Sequence, residues 1–359
     1  MLYLKRKVRI FLCIFSFLLQ FSLFANGSEN ESGLENPCQN ETCQNANCNT
    51  QENDCDCDDG EPVQPVTWVG TGSLAEVYPW GPLYEADECD IARSYGLPGV
   101  WLPEEPVLFR PFIADPRQVT YSVGWRFNDR ALAKNVIDVS FGDTMAVYRF
   151  CNVWPYGGDL QFEIEGGLWA VFDPLHDESP LINADYYVGF PITYAFDRWS
   201  FRLRGYHISA HVGDEYLIEH PHFHRKNPSA EFLDFAISYE LTDEIRIYDS
   251  IGVVVHQDHS FPYRHVFGQA GVEVRLRRLG GFTDYRQNLY GEPIFAVDLQ
   301  TRRKKHIDQT YVLGYEIGKL NGLRRKMRIF MEYHDGYSFE GQFAYIPTKY
   351  FSIRASYGF

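Results

Sequence analysis

The chain has 359 residues, with 48 Asp and Glu against 33 Lys and Arg, and a formal net charge of −15. That balance argues against a nucleic-acid partner, because binding phosphates needs a basic surface. Phe (27), Tyr (24) and Gly (29) are abundant, which suits strands and turns better than helices, since aromatic side chains pack well on a pleated surface.

The chain opens with Lys5, Arg6, Lys7 and Arg9, followed by a nearly continuous apolar run from Ile10 to Phe24 that ends at Ala25. This order is that of an export signal, expected over residues 1–25 with cleavage near Ala25. A membrane-spanning helix needs roughly 18 to 20 apolar residues, and this run is shorter and broken by Gln20. From 26 to 64 there is no Lys or Arg, while ten Asp and Glu lie between Glu29 and Glu61. Low hydrophobicity with high charge cannot offset the entropy of ordering, so a disordered periplasmic tail is expected there. Five cysteines sit in it, at Cys38, Cys43, Cys48, Cys55 and Cys57. An odd number in an exported tail leaves one unpaired internally, which points to intermolecular disulfides, with a metal site the rival reading.

Residues 65–111 carry Pro, Gly and Trp in irregular order and read as a folded periplasmic or plug segment. Cys89 lies in it, and Cys151 falls in an expected periplasmic link. A disulfide between Cys89 and Cys151 is the hypothesis.

From Gln118 the chain is written in period two. Val119, Tyr121, Val123, Trp125 and Phe127 alternate with Gln118, Thr120, Ser122, Gly124 and Arg126, one face apolar and the other polar. The pattern recurs around Leu160, Tyr186, Phe235, Val272, Phe295, Tyr311 and Met327. Soluble sandwiches also alternate, so three details decide. The strands run about ten residues or longer, enough to cross a bilayer when tilted. Links alternate between tight, near Asp197, Asp243 and Gly322, and long, after Asp173, Gly213 and Asp335. The last strand closes Phe351, Ile353, Ala355, Tyr357, Phe359, and a final strand ending in Phe resembles the signal read by the barrel-assembly machinery of the bacterial outer membrane. The expectation is an all-β fold: a transmembrane antiparallel β-barrel of about twelve strands over residues 112–359, with a bulge near Gly142 and both termini in the periplasm. Arg126, Asp138, Glu163, Glu165, Arg202, Arg204, Asp234, Glu273, Arg275, Glu316, Arg328, Glu332 and Arg354 then point inward. Such groups either neutralise one another and plug the lumen or line a narrow pore.

Trp199, Phe201, Leu203 and Gly205 share one face, and the same parity puts His207, Ser209 and His211 on the lipid side near the outer rim. A neutral imidazole can take a serine proton only if both project from one face, which period two provides. A His two residues before a Ser, facing outward on such a barrel, resembles the outer-membrane phospholipase A family. The resemblance implies Ser209 as nucleophile, His207 as base and Asn227 on the next strand as the group that orients it. The sequence departs from that family after the serine, where Ala210, His211 and Val212 follow. Downstream, His211, Asp214, Glu215, His220, His222 and His224 offer ligands for a divalent cation, calcium through the carboxylates or a transition metal through the imidazoles; a solvated loop is the plainer reading.

Two stretches, Phe112 to Arg117 and Ile182 to Tyr186 followed by Tyr206 to Tyr216, resemble the signatures of domain-of-unknown-function family 1207. The resemblance spans about residue 105 to the end. It implies an outer-membrane barrel and marks Asp115, Pro116, Arg117, Asp185, His207, Ser209, His211, Gly213, Asp214 and Glu215, without assigning an activity. Three readings follow: a structural or porin-like barrel among outer-membrane lipids, a lipid hydrolase, and a solute or lipid transporter.

Overall fold

The computed structural model describes residues 88–359, apart from 105–106, 177, 287, 304–305 and 320–324. The export signal, the acidic tail with its five cysteines and the start of the irregular segment lie outside the described residues, as does the link at Gly322.

Twelve long strands follow one another: β1 (Tyr121–Phe127), β2 (Asn135–Val153), β3 (Gly158–Phe172), β4 (Leu181–Phe196), β5 (Trp199–Val212) and β6 (Ser229–Glu240), then β7 (Ile245–Gln257), β8 (Val266–Arg275), β9 (Leu289–Arg303), β10 (His306–Lys319), β11 (Lys326–Tyr337) and β12 (Pro347–Gly358). Each pairs antiparallel with its sequence neighbours. β12 returns to β1 in a ladder running from Phe351 opposite Phe127 to Tyr357 opposite Tyr121, so the twelve long strands close into a barrel.

The alternation has the opposite sense to a soluble protein. On β11, Met327, Ile329, Met331 and Tyr333 are exposed while Arg328, Glu332 and His334 are buried. On β12, Phe351, Ile353 and Tyr357 are exposed and Ser352, Arg354 and Ser356 buried. Apolar side chains outside and charges inside are stable only where the outside is hydrocarbon, so this is a transmembrane barrel of the outer-membrane type.

One end carries tight links, including 197–198 and 241–244, and the other carries the long loops 173–180, 213–228, 258–265 and 338–346. Two links break the rule. Residues 276–288, at the tight-link end, contain a short strand, Phe282–Asp284, paired with β9. At the loop end, β9 turns into β10 almost at once, with Arg303 opposite His306. Gly142 pairs regularly with Gly167, and the irregularities of β2 fall instead between Ala146 and Tyr148 and between Phe150 and Val153.

Before the barrel come a short helix α1 (Glu88–Ser94) and a strand, Gly99–Trp101, that pairs with β2. Cys89 and Cys151 are joined, with Cα atoms 5.6 Å apart. Cys151 belongs to β2 itself and not to the link beyond it.

The chain then enters the lumen. Arg110 pairs with Glu240, the Ile113 N–H donates to Glu273 Oε1 at 2.8 Å, and Arg246 Nη2 donates to the Arg110 carbonyl at 2.7 Å. Phe112 stacks on Tyr248 at 3.8 Å between ring centroids, and Ile113 and Ala114 pack on Ile294, Ala296, Val312 and Phe330. The wall therefore begins at Tyr121. Residues 112–120, expected to open the barrel, instead fill it as a plug. Beside it Glu316 holds Lys326 at 2.8 Å and Arg328 at 2.6 Å, so the inward charges neutralise one another.

Candidate functional site

β5 keeps the outward parity of Trp199 to its end: Ala210 and Val212 are buried, His211 is exposed, and His207 and Ser209 share the outer face with it. The register of β5 with β6 sets His207 opposite Glu231 and Ser209 opposite Ser229. Directly opposite residues in an antiparallel pair project from the same face. Four polar groups thus meet on the outer wall.

His207 Nδ1 lies 2.9 Å from Glu231 Oε1, and the other carboxylate oxygen lies 2.7 Å from His256 Nδ1 on β7. A carboxylate at Nδ1 selects the tautomer protonated there and leaves the Nε2 lone pair available. Ser209 follows two residues on, about 7 Å along the strand. The Ser209 and His207 side chains are not hydrogen-bonded to each other in this structure. The site is open to its surroundings, with His207 36% and Glu231 45% exposed. It lies at the loop end of the β5–β6 ladder, whose last pair is Ser209 with Ser229. Below it, exposed Leu203, Leu233, Phe235 and Val188 continue the apolar wall.

Asn227 is elsewhere. It precedes β6 in the loop, where its Nδ2 donates to Asp258 Oδ2 at 2.9 Å and its N–H donates to Ser260 Oγ at 3.1 Å. Asn227 is therefore tied to the loop after β7, and the side chain in contact with His207 Nδ1 is Glu231. The hydroxyl and main-chain N–H of Ser260, with the Asn227 amide, hold the Asp258 carboxyl down to about 2.

The expected cation ligands do not converge. His211 packs edge-on against Tyr186, with centroids 5.5 Å apart. Asp214 and Glu215 are exposed in the first turn of a six-residue helix, α2 (Asp214–Glu219). His220 stacks on Tyr216 at 4.0 Å and contacts the Tyr216 carbonyl through Nδ1, while His222 is exposed in the turn that follows and His224 in coil. Among the described residues the trio with ligand atoms close enough to share an ion is Cys89, Cys151 and Asp159, and its two cysteines are joined to each other.

The remaining motif residues are structural in their contacts. Gly213 donates its N–H to the Ile182 carbonyl at 3.1 Å, and a Cβ there would lie 1.8 Å from the Leu181 oxygen, an approach that only glycine permits. The two motif stretches meet inside the barrel: Arg117 of the plug pairs with Asp185 of β4 and donates to the Phe339 carbonyl. Asp185 also accepts from Asn183 Nδ2 at 2.8 Å and from the Gly341 N–H at 3.2 Å. Asp115 accepts from Gln269 at 3.1 Å and Gln300 at 3.3 Å, and at 2.9 Å from the Arg117 N–H, across Pro116, which has no N–H of its own.

Glu231, His256 and Ser229 were not singled out by sequence reasoning. The register that makes Glu231 face His207 passes through the long loop 213–228, whose length leaves the pairing free.

Residues 81–359 match the profile of a family described as protein of unknown function (DUF1207). Among curated proteins no sequence matches. Among solved structures, the outer membrane phospholipase (OMPLA) dimer of Salmonella typhi with bound calcium is 11% identical, with 70% of this chain and 95% of that chain covered and a TM-score of 0.46. Outer membrane phospholipase A from Escherichia coli gives the same figures, 11%, 70%, 95% and 0.46. LpxR from Salmonella typhimurium is 8% identical over 67% of this chain and 100% of that chain, with a TM-score of 0.36. At this identity and score the resemblance assigns no chemistry to this chain.

Proposed function

The chain belongs to the DUF1207 family, and from its own residues we propose that it is an outer-membrane lipid hydrolase working on the outer wall of a plugged barrel. The observation that carries this is the His207–Glu231 contact of 2.9 Å, on the same face as Ser209. Serine, imidazole and carboxylate in that order are what nucleophilic acyl transfer needs. Ser209 Oγ gives its proton to His207 Nε2 and attacks an ester carbonyl, while Glu231 stabilises the imidazolium through Nδ1. His207 then protonates the departing alcohol, and water releases the acyl group by the same route. In this reading Ser229, whose Cα pairs with that of Ser209 on the same face, donates its hydroxyl to the developing oxyanion.

The position supports a lipid substrate. The site lies where the apolar wall meets the polar loop end, the depth at which headgroups and ester linkages of a bilayer lie. The plugged lumen favours chemistry on the wall over conduction through it. In this reading residues 1–25 direct export and are removed, 26–64 form a tail in the periplasm with the tight-link end, and the loop end faces outward. Barrel-assembly machinery and outer-membrane lipids are the partners, and cross-links through the tail cysteines remain part of the proposal.

An active-site label tests the assignment. A long-chain alkyl fluorophosphonate added to the detergent-folded barrel is expected to modify Ser209, located by peptide mass spectrometry, and to leave His207→Ala unmodified. Labelling spread over other serines, or equal labelling of His207→Ala, contradicts it.

A further inference from the structure

Above the plug, at the loop end of the lumen, lies a half-open cavity of about 170 Å³. It is separate from the outer-wall site. Among the residues lining it are five arginines, Arg117, Arg204, Arg264, Arg302 and Arg303, against three carboxylates, Asp115, Asp185 and Asp234. In a chain of net charge −15 that is a local inversion of sign.

Three of the arginines are matched. Arg117 pairs with Asp185, Arg204 with Asp234 at 2.5 Å, and Arg302 with Asp308 at 2.9 Å. The other two have no carboxylate partner among the described residues. Arg264 Nη1 donates to the carbonyls of Thr301 at 3.1 Å and Arg303 at 3.3 Å. Arg303 Nε donates to the Ala344 carbonyl at 3.1 Å and its guanidinium lies 3.6 Å from the centre of the Tyr345 ring. Main-chain carbonyls anchor these planes without neutralising them, and against them stands one lining carboxylate held by amides alone, Asp115, so one net positive charge is left for a bound anion.

Aromatic rings line the same cavity. Tyr206 stacks on Phe232 at 4.9 Å, Phe232 meets Tyr263 edge-on at 5.5 Å and Phe267 at 5.9 Å, and Trp169 also faces the cavity. Rings of this kind accept another flat ring by stacking or edge contact. The volume falls below the roughly 300 to 1,000 Å³ of pockets for drug-sized ligands, so the occupant is small. Tyr263 and Arg264 come from the loop 258–265, and Phe339, Gly341 and Ala344 from the loop 338–346, so entry is from the loop end.

We propose that this cavity binds a small carboxylate bearing one aromatic ring, with Arg264 and Arg303 holding the carboxylate and the Tyr206, Phe232 and Phe267 wall holding the ring. Occupancy does not depend on Ser209, so Ser209→Ala binds as wild type does.

Calorimetric titration of the folded barrel with benzoate tests this, with benzyl alcohol as the ring without charge and acetate as the charge without ring. Saturable benzoate binding is expected, weakened at least tenfold by Arg264→Gln and less by Arg264→Lys, while both controls bind at least tenfold more weakly. Arg264 is exposed at the rim, so its variants are expected to keep the heat-modifiable mobility of the folded barrel, which is checked in parallel. Arg303→Gln gives the second reading of the same effect. Absence of benzoate binding, equal binding of benzyl alcohol or acetate, or benzoate binding indifferent to both arginine variants overturns the proposal.

Discussion

Neutralising Asp185 measures how firmly the plug is held. Its carboxylate side chain is 2% exposed and that of its partner Arg117 is 16% exposed. Asp185→Asn keeps the shape and one acceptor oxygen for the Asn183 amide and the Gly341 N–H, and removes the charge together with the acceptor that faces Arg117. Removing one member of a buried pair costs about 3 to 5 kcal/mol, because the other is left uncompensated. The partial exposure of Arg117 lets water recover some of this, so about 3 kcal/mol is expected. Urea unfolding of the barrel in detergent micelles reads it as a lower midpoint at unchanged slope. The double variant Arg117→Met with Asp185→Asn is expected to regain most of the loss, since no lone charge remains. Planar-bilayer conductance should be silent for wild type and show intermittent openings for Asp185→Asn, as the plug loosens from β4 and the loop carrying Gly341. Equal midpoints for all three proteins would refute the reasoning, as would a double variant less stable than Asp185→Asn.

Three further expectations follow from the same contacts. Cys151→Ser opens a link spanning 62 residues that encloses the plug; chain entropy puts the loss at about 4 kcal/mol, and reductant should lower the unfolding midpoint of wild type equally. Asn227→Ala should leave lipid hydrolysis unchanged while Glu231→Gln lowers kcat by roughly 10²-fold or more, because Asn227 holds Asp258 and Glu231 holds His207; the reverse ranking would restore Asn227 as the orienting group. The Asp258 carboxyl, depressed to about 2, contributes order to the loop 258–265 above its ordinary value near 4 and loses it as pH falls toward 2; the protection of that loop's amides relative to their intrinsic exchange rates should fall across this window, and unchanged protection would count against the Ser260 and Asn227 contacts.

The barrel was legible because each strand states its two faces. Met327, Ile329 and Met331 against Arg328 and Glu332 need only local sequence to be read as wall and lumen. Parity also placed His207 and Ser209 outward, since nothing interrupts β5 between Trp199 and Val212. What failed depends on pairing across long loops. Asn227 precedes the register of β6, so its nearness in sequence to the strand misled, and Glu231, four residues later, took the place opposite His207. The plug was legible in part. Residues 65–111 read as a periplasmic or plug segment because they carry no period, but 112–120 read as the opening of the barrel, since Gln118 to Thr120 already alternate, and the partners of the plug, Glu240, Glu273 and Asp185, come from strands distant in sequence. His220, His222 and His224 are close in sequence, but a coil after a short helix gives them no common direction.

The most direct test of the central claim is fatty-acid release from phospholipid vesicles containing the refolded barrel, run for wild type, Ser209→Ala and Glu231→Gln. The account predicts release by wild type, none above background for Ser209→Ala, and a strongly reduced rate for Glu231→Gln. Release that survives Ser209→Ala, or none from a wild-type barrel shown to be folded, would contradict it.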